Sequence, residues 1–245
     1  MKNKETEKNK NKKDDNCKKC NKYITICLAV VVVILAVLLC VKCFNSKLPK
    51  LPLPEVTGGE RGMLGIDKNI NEETIDNYLG REDSVYRDVR MLIDDGNYES
   101  IGGDSYLSGF VKGFEVVPYP YLAPLSGLPE SVGKGYTGKT LFSVDENGTY
   151  IPNYTESLDV LEYLFPKDKN IFLMCGGGGY AGMTKTLLVS LGWDGNKIYN
   201  TGGYWNYKGN NSIQVYNEKE KVHDFWKVSY HNIDFSRFKP VKGEK

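Results

Sequence analysis

The sequence predicts an α/β fold in which an open, mostly parallel sheet is flanked by helices and preceded by one transmembrane helix. Short apolar runs typical of buried strands alternate with amphipathic runs typical of helices, and such alternation favours parallel strand pairing. The run at 171–174 is apolar at every position, as in a strand that is covered on both faces. A second, longer apolar stretch lies near the N-terminus, at residues 23–41.

The N-terminal segment has the composition of a membrane anchor that follows a basic tail. Residues 1–22 carry nine lysines and too few apolar residues to pack a core. The next nineteen residues carry no charge and would form about 28 Å of helix, enough to cross the hydrocarbon core. We therefore predict a cytoplasmic tail at 1–22 and a single-pass anchor in the cell membrane at 23–44, with the rest of the chain outside the cell. A cleaved signal peptide and a lipoprotein cysteine at Cys40 or Cys43 are the alternatives.

Charge and cysteine content exclude several classes of function. Residues 1–44 contain ten lysines and four acidic residues, a net charge of +6, whereas the remainder contains 22 basic and 27 acidic residues, a net charge of −5. An acidic outer part argues against nucleic-acid binding. Cys17 and Cys20 have the spacing of half a zinc site, but no second pair or histidine lies near them, so no metal is expected. Cys175 is the only cysteine beyond residue 43, which excludes a disulfide within the outer part.

Beyond the anchor, we expect a linker at 45–66, one domain at 67–240 and a polar tail at 241–245. In chain order, the expected elements are a helix from Asn71 to Leu79, a strand at 84–89, a strand end at 116–118, a hairpin of 141–144 with 149–151, a helix capped by Asn153 and ended by Pro166, the strand at 171–174, a helix ended by Gly192, and a strand at 197–200. The apolar faces of the last two helices are Leu158, Leu161, Leu164 and Phe165, and Met183, Leu187, Leu188 and Leu191. Residues 91–109 are ambiguous between helix and turn, and residues 120–140 are expected to be loop.

The segment from Cys175 to Tyr180 is the strongest indication of function. A buried strand ends at the cysteine, four glycines follow it, and an amphipathic helix comes next. Open α/β sheets bind their ligands at the carboxyl ends of the strands, where this thiol would lie. A helix N-terminus and the N–H groups of successive glycines both favour an anion, so we expect them to lower the pKa of the thiol. No lysine, arginine or histidine lies within the loop, so this stabilisation would come from the backbone alone.

Three other segments of the chain, together with this loop, form a pattern of short motifs in a fixed order. They are Ser84–Arg90, which ends in Asp-Val-Arg, Gly109–Pro118, which contains two glycines four residues apart, and Gly202-Gly203-Tyr204-Trp205. Together with Cys175–Tyr180 they resemble the rhodanese family of sulfurtransferases, over roughly residues 70–210. Phe110 replaces the histidine of that pattern, and Trp205 comes one residue early.

The resemblance implies a function and a set of site residues. Cys175 would take a sulfane sulfur from a small donor such as thiosulfate, hold it as a persulfide and pass it to a thiophilic acceptor. The N–H groups of the loop would hold the outer sulfur; these belong to Gly176, Gly177, Gly178, Gly179 and Tyr180. Asp88 and Arg90 would brace the end of the sheet. The family's chemistry implies no cofactor, and the oligomeric state is not predicted. The loop carries no positive side chain that would bind an anionic donor such as thiosulfate.

Several other interpretations remain beside this one. Cys175 could be a small buried hydrophobe, or the domain could be a catalytically inactive rhodanese-like module that binds a partner at the cell surface. Residues 133–140 match a phosphate-binding pattern, but a hairpin is expected where that motif needs a helix. A cysteine phosphatase would need an arginine where Ala181 stands. The two histidines, His223 and His231, lie in a polar segment and suggest no catalytic triad.

Overall fold

The structure, a computed structural model, describes residues 28–36, residue 53 and residues 60–241. Residues 28–36 form helix α1, whose apolar side chains are exposed, and they belong to a first unit at 1–50. Within these described ranges, no helix combines the length and apolar character that a membrane crossing requires. The predicted tail at 1–22 and the remainder of the predicted anchor at 23–44 lie outside the described residues.

The second unit, residues 51–245, contains the described strands and two α-helices. The strands are β1 (Glu60–Arg61), β2 (Ile66–Asp67), β3 (Ser84–Asp88), β4 (Gly109–Val111), β5 (Glu115–Val116), β6 (Phe142–Val144), β7 (Tyr150–Pro152), β8 (Asn170–Cys175), β9 (Ile198–Gly203), β10 (Ser212–Gln214), β11 (Tyr216–Asn217) and β12 (Val222–His223). The helices are α2 (Ser157–Leu164) and α3 (Gly179–Ser190), and 3₁₀ turns occupy several of the connections.

A four-stranded parallel sheet in the order β5-β3-β8-β9 forms the centre of this unit. It confirms the predicted α/β class and the parallel pairing. Side chains alternate across β8: Ile171 and Leu173 pack into one apolar cluster with residues of α2 and α3, whereas Phe172 and Met174 pack into another. The ring of Phe172 stacks between Tyr86 and Tyr199 on the neighbouring strands, with ring centroids 5.0 and 5.1 Å apart. The strand is therefore covered on both faces, as predicted.

Helix α3 follows β8 and packs on β8 and β9. Its predicted end is confirmed, because Gly192 comes after the last turn with a φ of +95°. Helix α2 begins later than predicted: Glu156 is its N-cap, and Asn153 instead donates from its side-chain amide to the carbonyl of Thr140. Leu158, predicted on the apolar face of α2, is 46% exposed.

The predicted helix from Asn71 to Leu79 is wrong, because only a 3₁₀ turn forms there, at Ile75–Tyr78. The side chain of Asp67 accepts two backbone N–H bonds, and the side-chain amide of Asn71 donates to two backbone carbonyls. These local bonds compete with the helical hydrogen-bond pattern. In the ambiguous segment 91–109, the helical part is limited to a 3₁₀ turn at Tyr98–Ile101, while Ile93 and Tyr106 form an antiparallel bridge and Gly109 begins β4.

Antiparallel pairs complete the described part of the chain. The predicted hairpin is confirmed as β6 with β7, while β10 pairs with β4 and β11 with β12. Strands β1 and β2 form a hairpin that begins before the predicted domain boundary at residue 67. Residues 133–140 are loop, followed by β6 rather than a helix, so the phosphate-binding pattern lacks its structural context.

Two leucines of α2 test the assignment of its buried face. Leu161 is fully buried and Leu158 is largely exposed, although the sequence pattern places both on one apolar face. We expect Leu161→Ala to lower the free energy of unfolding by about 2–5 kcal/mol, and Leu158→Ala by less than about 1 kcal/mol. Urea unfolding followed by circular dichroism measures both changes. Equal losses for the two variants would contradict the packing of α2.

Candidate functional site

Cys175 is the last residue of β8, opposite Gly203 of β9, and its thiol lies under the start of α3. The residue is 3% exposed. The backbone N–H of Gly178, the N-cap of α3, donates to the Cys175 Sγ at 3.0 Å. The thiol thus lies at the carboxyl edge of the parallel sheet and receives a hydrogen bond from the turn that starts the helix.

Burial raises the pKa of the Cys175 thiol, because the thiolate loses its solvation. Backbone N–H groups of Ala181 and Gly178 act in the opposite direction, as the helix start was predicted to do. Among nearby charges, Asp88 raises the pKa and Arg90 lowers it. The net direction is upward, opposite to the prediction, because the desolvation of an enclosed thiol outweighs the hydrogen bonds it accepts.

The glycines of the loop differ in what they accommodate. A Cβ on Gly176 would lie 2.2 Å from the ring of Trp205, and a Cβ on Gly103 would lie 2.3 Å from the same ring. Gly178 has a φ of +102°, which favours glycine whatever space surrounds it. A Cβ on Gly179 would meet nothing closer than 3.8 Å. Two of these loop positions, 176 and 178, therefore require glycine for the geometry observed.

Arg90 and Asp88 form a buried, bidentate ion pair beside the thiol. The Arg90 Nε lies 2.9 Å from Asp88 Oδ1, and Arg90 Nη2 lies 2.6 Å from Asp88 Oδ2. Nη2 also donates to the carbonyl of Gly109 at 2.8 Å, and the guanidinium lies 4.9 Å from the ring centroid of Tyr204. The remaining nitrogen, Nη1, is buried and has no hydrogen-bond partner among the described residues. These contacts hold the arginine rigidly and leave one donor group free.

A cavity of about 220 Å³ opens beside Cys175. Its wall contains the thiol, Arg90 and Trp205, and apolar side chains such as Met183 and Leu128 form most of the rest. Besides Arg90 Nη1, two more polar atoms of wall residues are buried without a partner in the described part of the chain: Asp104 Oδ1 and Trp205 Nε1. Buried polar groups are normally hydrogen-bonded, so three unpaired ones among the residues of one wall distinguish this region from the rest of the described core.

The side chain of Tyr180 also belongs to the cavity wall. Its hydroxyl donates to Asp94 Oδ2 at 2.9 Å and also contacts the hydroxyl of Tyr98. Burial raises the pKa of both tyrosines and of Asp94. The tyrosines stay protonated at neutral pH, so this chain of hydrogen bonds fixes the wall without placing a reactive oxygen beside the thiol.

The structure brings together most of the residues that the sequence singled out. The cavity wall includes Cys175, Gly176, Gly177, Gly179, Tyr180 and Arg90, while Gly178 donates to the sulfur and Asp88 holds Arg90. For the other loop N–H groups, the predicted role towards an outer sulfur stays a prediction. Tyr98, Asp94 and Asp104 were missed, because residues 91–109 have no periodic pattern that predicts their position.

Neither histidine takes part in this site. His223 stacks on Tyr106 and Phe225, and His231 bonds to Glu115 at 2.9 Å. In the part of the chain that the structure describes, no cluster of histidine, cysteine and acidic side chains could hold a metal ion.

The raised pKa of Cys175 predicts how its reactivity depends on pH. The thiolate is the reactive form, and burial favours the protonated thiol. We expect the alkylation rate of Cys175 by iodoacetamide to rise through the alkaline range, with a midpoint above the value of about 8.5 for a free cysteine. Mass spectrometry of the peptide that contains Cys175 separates it from the other cysteines. A rate that is already maximal at neutral pH would contradict the dominance of burial.

The contact between Trp205 and the loop predicts different effects of alanine at two loop positions. We expect Gly176→Ala to lower the free energy of unfolding by about 1–3 kcal/mol, because the ring of Trp205 occupies the space of the new methyl group. Gly179→Ala is the matched control, and its effect should be neutral or stabilising by up to about 1 kcal/mol. Urea unfolding compares the two variants. Equal destabilisation would mean that Trp205 does not restrict the loop.

Comparison of the chain with protein-family models, with curated proteins and with solved structures finds no match. The resemblance to the rhodanese family therefore remains a prediction that rests on residues of this chain. A functional proposal must be built on the thiol, the arginine beside it and the cavity that they share.

Proposed function

We propose that this protein is a sulfurtransferase with a rhodanese-like domain, and that it moves a sulfane sulfur through a persulfide on Cys175. The observation that carries the proposal is the position of the thiol. Its sulfur accepts a backbone N–H bond at the start of α3 and lies in the wall of a cavity that can hold a small molecule. Arg90, a residue of the same wall, supplies a positive charge beside the cavity, and this charge is paired with that of Asp88.

Sulfur transfer uses these groups in two displacement steps. The Cys175 thiolate attacks the outer sulfur of the donor, the donor's bond to that sulfur breaks, and the leaving group keeps the electron pair. The product is a persulfide, Cys175–S–S⁻. A thiophilic acceptor then attacks the outer sulfur, the S–S bond breaks, and the thiolate is regenerated. The N–H of Gly178 favours the anionic sulfur in both steps, and the charge of Arg90 acts in the same direction while that of Asp88 opposes it.

One observation favours the second candidate, a catalytically inactive rhodanese-like module that binds a partner or a sulfur compound at the surface. Burial raises the pKa of Cys175, which lowers the thiolate fraction at neutral pH. The loop also has no basic side chain to offset this effect. A binding module would use the cavity without using the nucleophile.

We also propose that residues 23–44 attach the protein to the cell membrane, with the N-terminus in the cytoplasm and the domain outside. The support is the uncharged stretch at 23–41 and the lysines that precede it. Small donors and acceptors would then reach the domain from outside the cell.

A persulfide assay tests the proposed transfer. The full-length protein is incubated with thiosulfate, an organic thiosulfonate or an organic persulfide, and then with cyanide. We expect a mass gain of one sulfur atom on Cys175 before cyanide is added, and thiocyanate as product afterwards. Cys175→Ser should abolish both signals, whereas the matched control Cys43→Ser should retain them. If none of the donors yields thiocyanate or the mass gain, the transfer is wrong and the binding module is favoured.

A further inference from the structure

The wall of the Cys175 cavity is poorly suited to a small, doubly charged ion. Among the described residues, its charged side chains are one arginine, Arg90, and two acids, Asp94 and Asp104. The arginine is already paired with Asp88. A dianion in this cavity would lose its hydration and would face an excess of negative charge, and both effects are unfavourable.

The same wall is well suited to an apolar group. Met183 and Leu128 contribute aliphatic surface, and Tyr98 and Trp205 contribute aromatic rings about 6.0 Å apart. At the rim, Ile101 and Tyr106 are 46% and 44% exposed, so apolar surface continues outwards from the cavity. An apolar group of a ligand bound here would displace water from these apolar side chains, and removing apolar surface from water is favourable.

The charge of Arg90 shows what else the ligand should carry. Arg90 Nη1 and Trp205 Nε1 are hydrogen-bond donors that lack acceptors in the described residues. Arg90 is 6% exposed, and the ion pair with Asp88 fixes its guanidinium. A ligand with one anionic group would meet the charge of this guanidinium in the wall, whereas Nη1 and Nε1 themselves are enclosed by protein. Asp104 Oδ1 is an acceptor and disfavours further negative charge nearby.

We propose that the sulfur donor of this site is an organic compound with an apolar body and a single negative charge, and not inorganic thiosulfate. The inference rests on the proposed function and specifies its substrate class. An organic thiosulfonate, R–SO₂–S⁻, has this chemistry. Its reaction is balanced: Cys175–S⁻ attacks the outer sulfur, the S–S bond of the donor breaks, R–SO₂⁻ leaves with the electron pair, and Cys175–S–S⁻ remains.

The experiment compares donors on the full-length protein. Benzenethiosulfonate, methanethiosulfonate and thiosulfate are each supplied with cyanide, and kcat/KM is divided by the uncatalysed rate of the same donor. This division removes the difference in intrinsic reactivity between donors. We expect this ratio to be highest for benzenethiosulfonate, lower for methanethiosulfonate and lowest for thiosulfate. The ratios for benzenethiosulfonate and thiosulfate should differ at least tenfold, because burial of a few carbon atoms supplies a free energy on the order of that difference. A ratio for thiosulfate equal to or above that for benzenethiosulfonate overturns the inference.

A pair of variants on α3 tests whether the apolar wall causes the preference. Met183 lines the cavity, whereas Val189 lies on the exposed side of the same helix. We expect Met183→Gln to lower kcat/KM for benzenethiosulfonate several-fold with little change for thiosulfate, and Val189→Gln to change neither. If Met183→Gln lowers both donors equally, the wall does not select the donor and the inference is wrong.

A binding measurement separates this inference from the proposed function. If no donor yields thiocyanate, sulfur transfer is wrong, and calorimetric titration of the Cys175→Ser protein then decides the ligand class. Benzenesulfinate, the leaving group of the aromatic donor, and sulfite are the probes. Binding of benzenesulfinate at least tenfold tighter than that of sulfite supports an apolar monoanion as the ligand. Equal binding, or no binding of benzenesulfinate, overturns it.

Discussion

The burial of β8 on both faces is the constraint on which the site depends. Apolar layers cover Ile171 and Leu173 on one side and Phe172 and Met174 on the other, so the strand can end only where the chain leaves these layers. Cys175 is the residue at that point, and α3 starts directly above it. The position of the thiol, its hydrogen bond from Gly178 and its enclosure all follow from how this strand is packed.

Enclosure has two opposed consequences for the chemistry. It withdraws the thiol from water and so disfavours the thiolate, yet it strengthens every electrostatic interaction that a bound anion makes. The two residues of the Asp88–Arg90 ion pair act on the sulfur in opposite directions. The charge of Asp88 disfavours the thiolate, and the charge of Arg90 favours it.

The parts of the fold that local sequence determines were predictable. Strands β3, β8 and β9 and helix α3 have apolar runs or faces that identify them without knowledge of their neighbours. Pairings between distant segments were not predictable: β4 and β10 are three-residue strands that meet at Phe110 and Ile213, about a hundred positions apart. Cys175 and its glycines were found from their own segment, but the wall around Tyr98 was not. Its position depends on a contact with Tyr180 that no local pattern reveals.

The contact of Trp205 with Gly103 and Gly176 has a consequence for how this chain can vary. The three positions come from a surface turn, the cysteine loop and the end of β9, yet a single ring occupies the space that side chains at two of them would need. A smaller residue at position 205 would leave space for side chains at positions 103 and 176. The indole ring of Trp205 leaves space for glycine only at both positions. Among relatives of this protein, residues 103, 176 and 205 should therefore covary as a group, even though they are far apart in sequence.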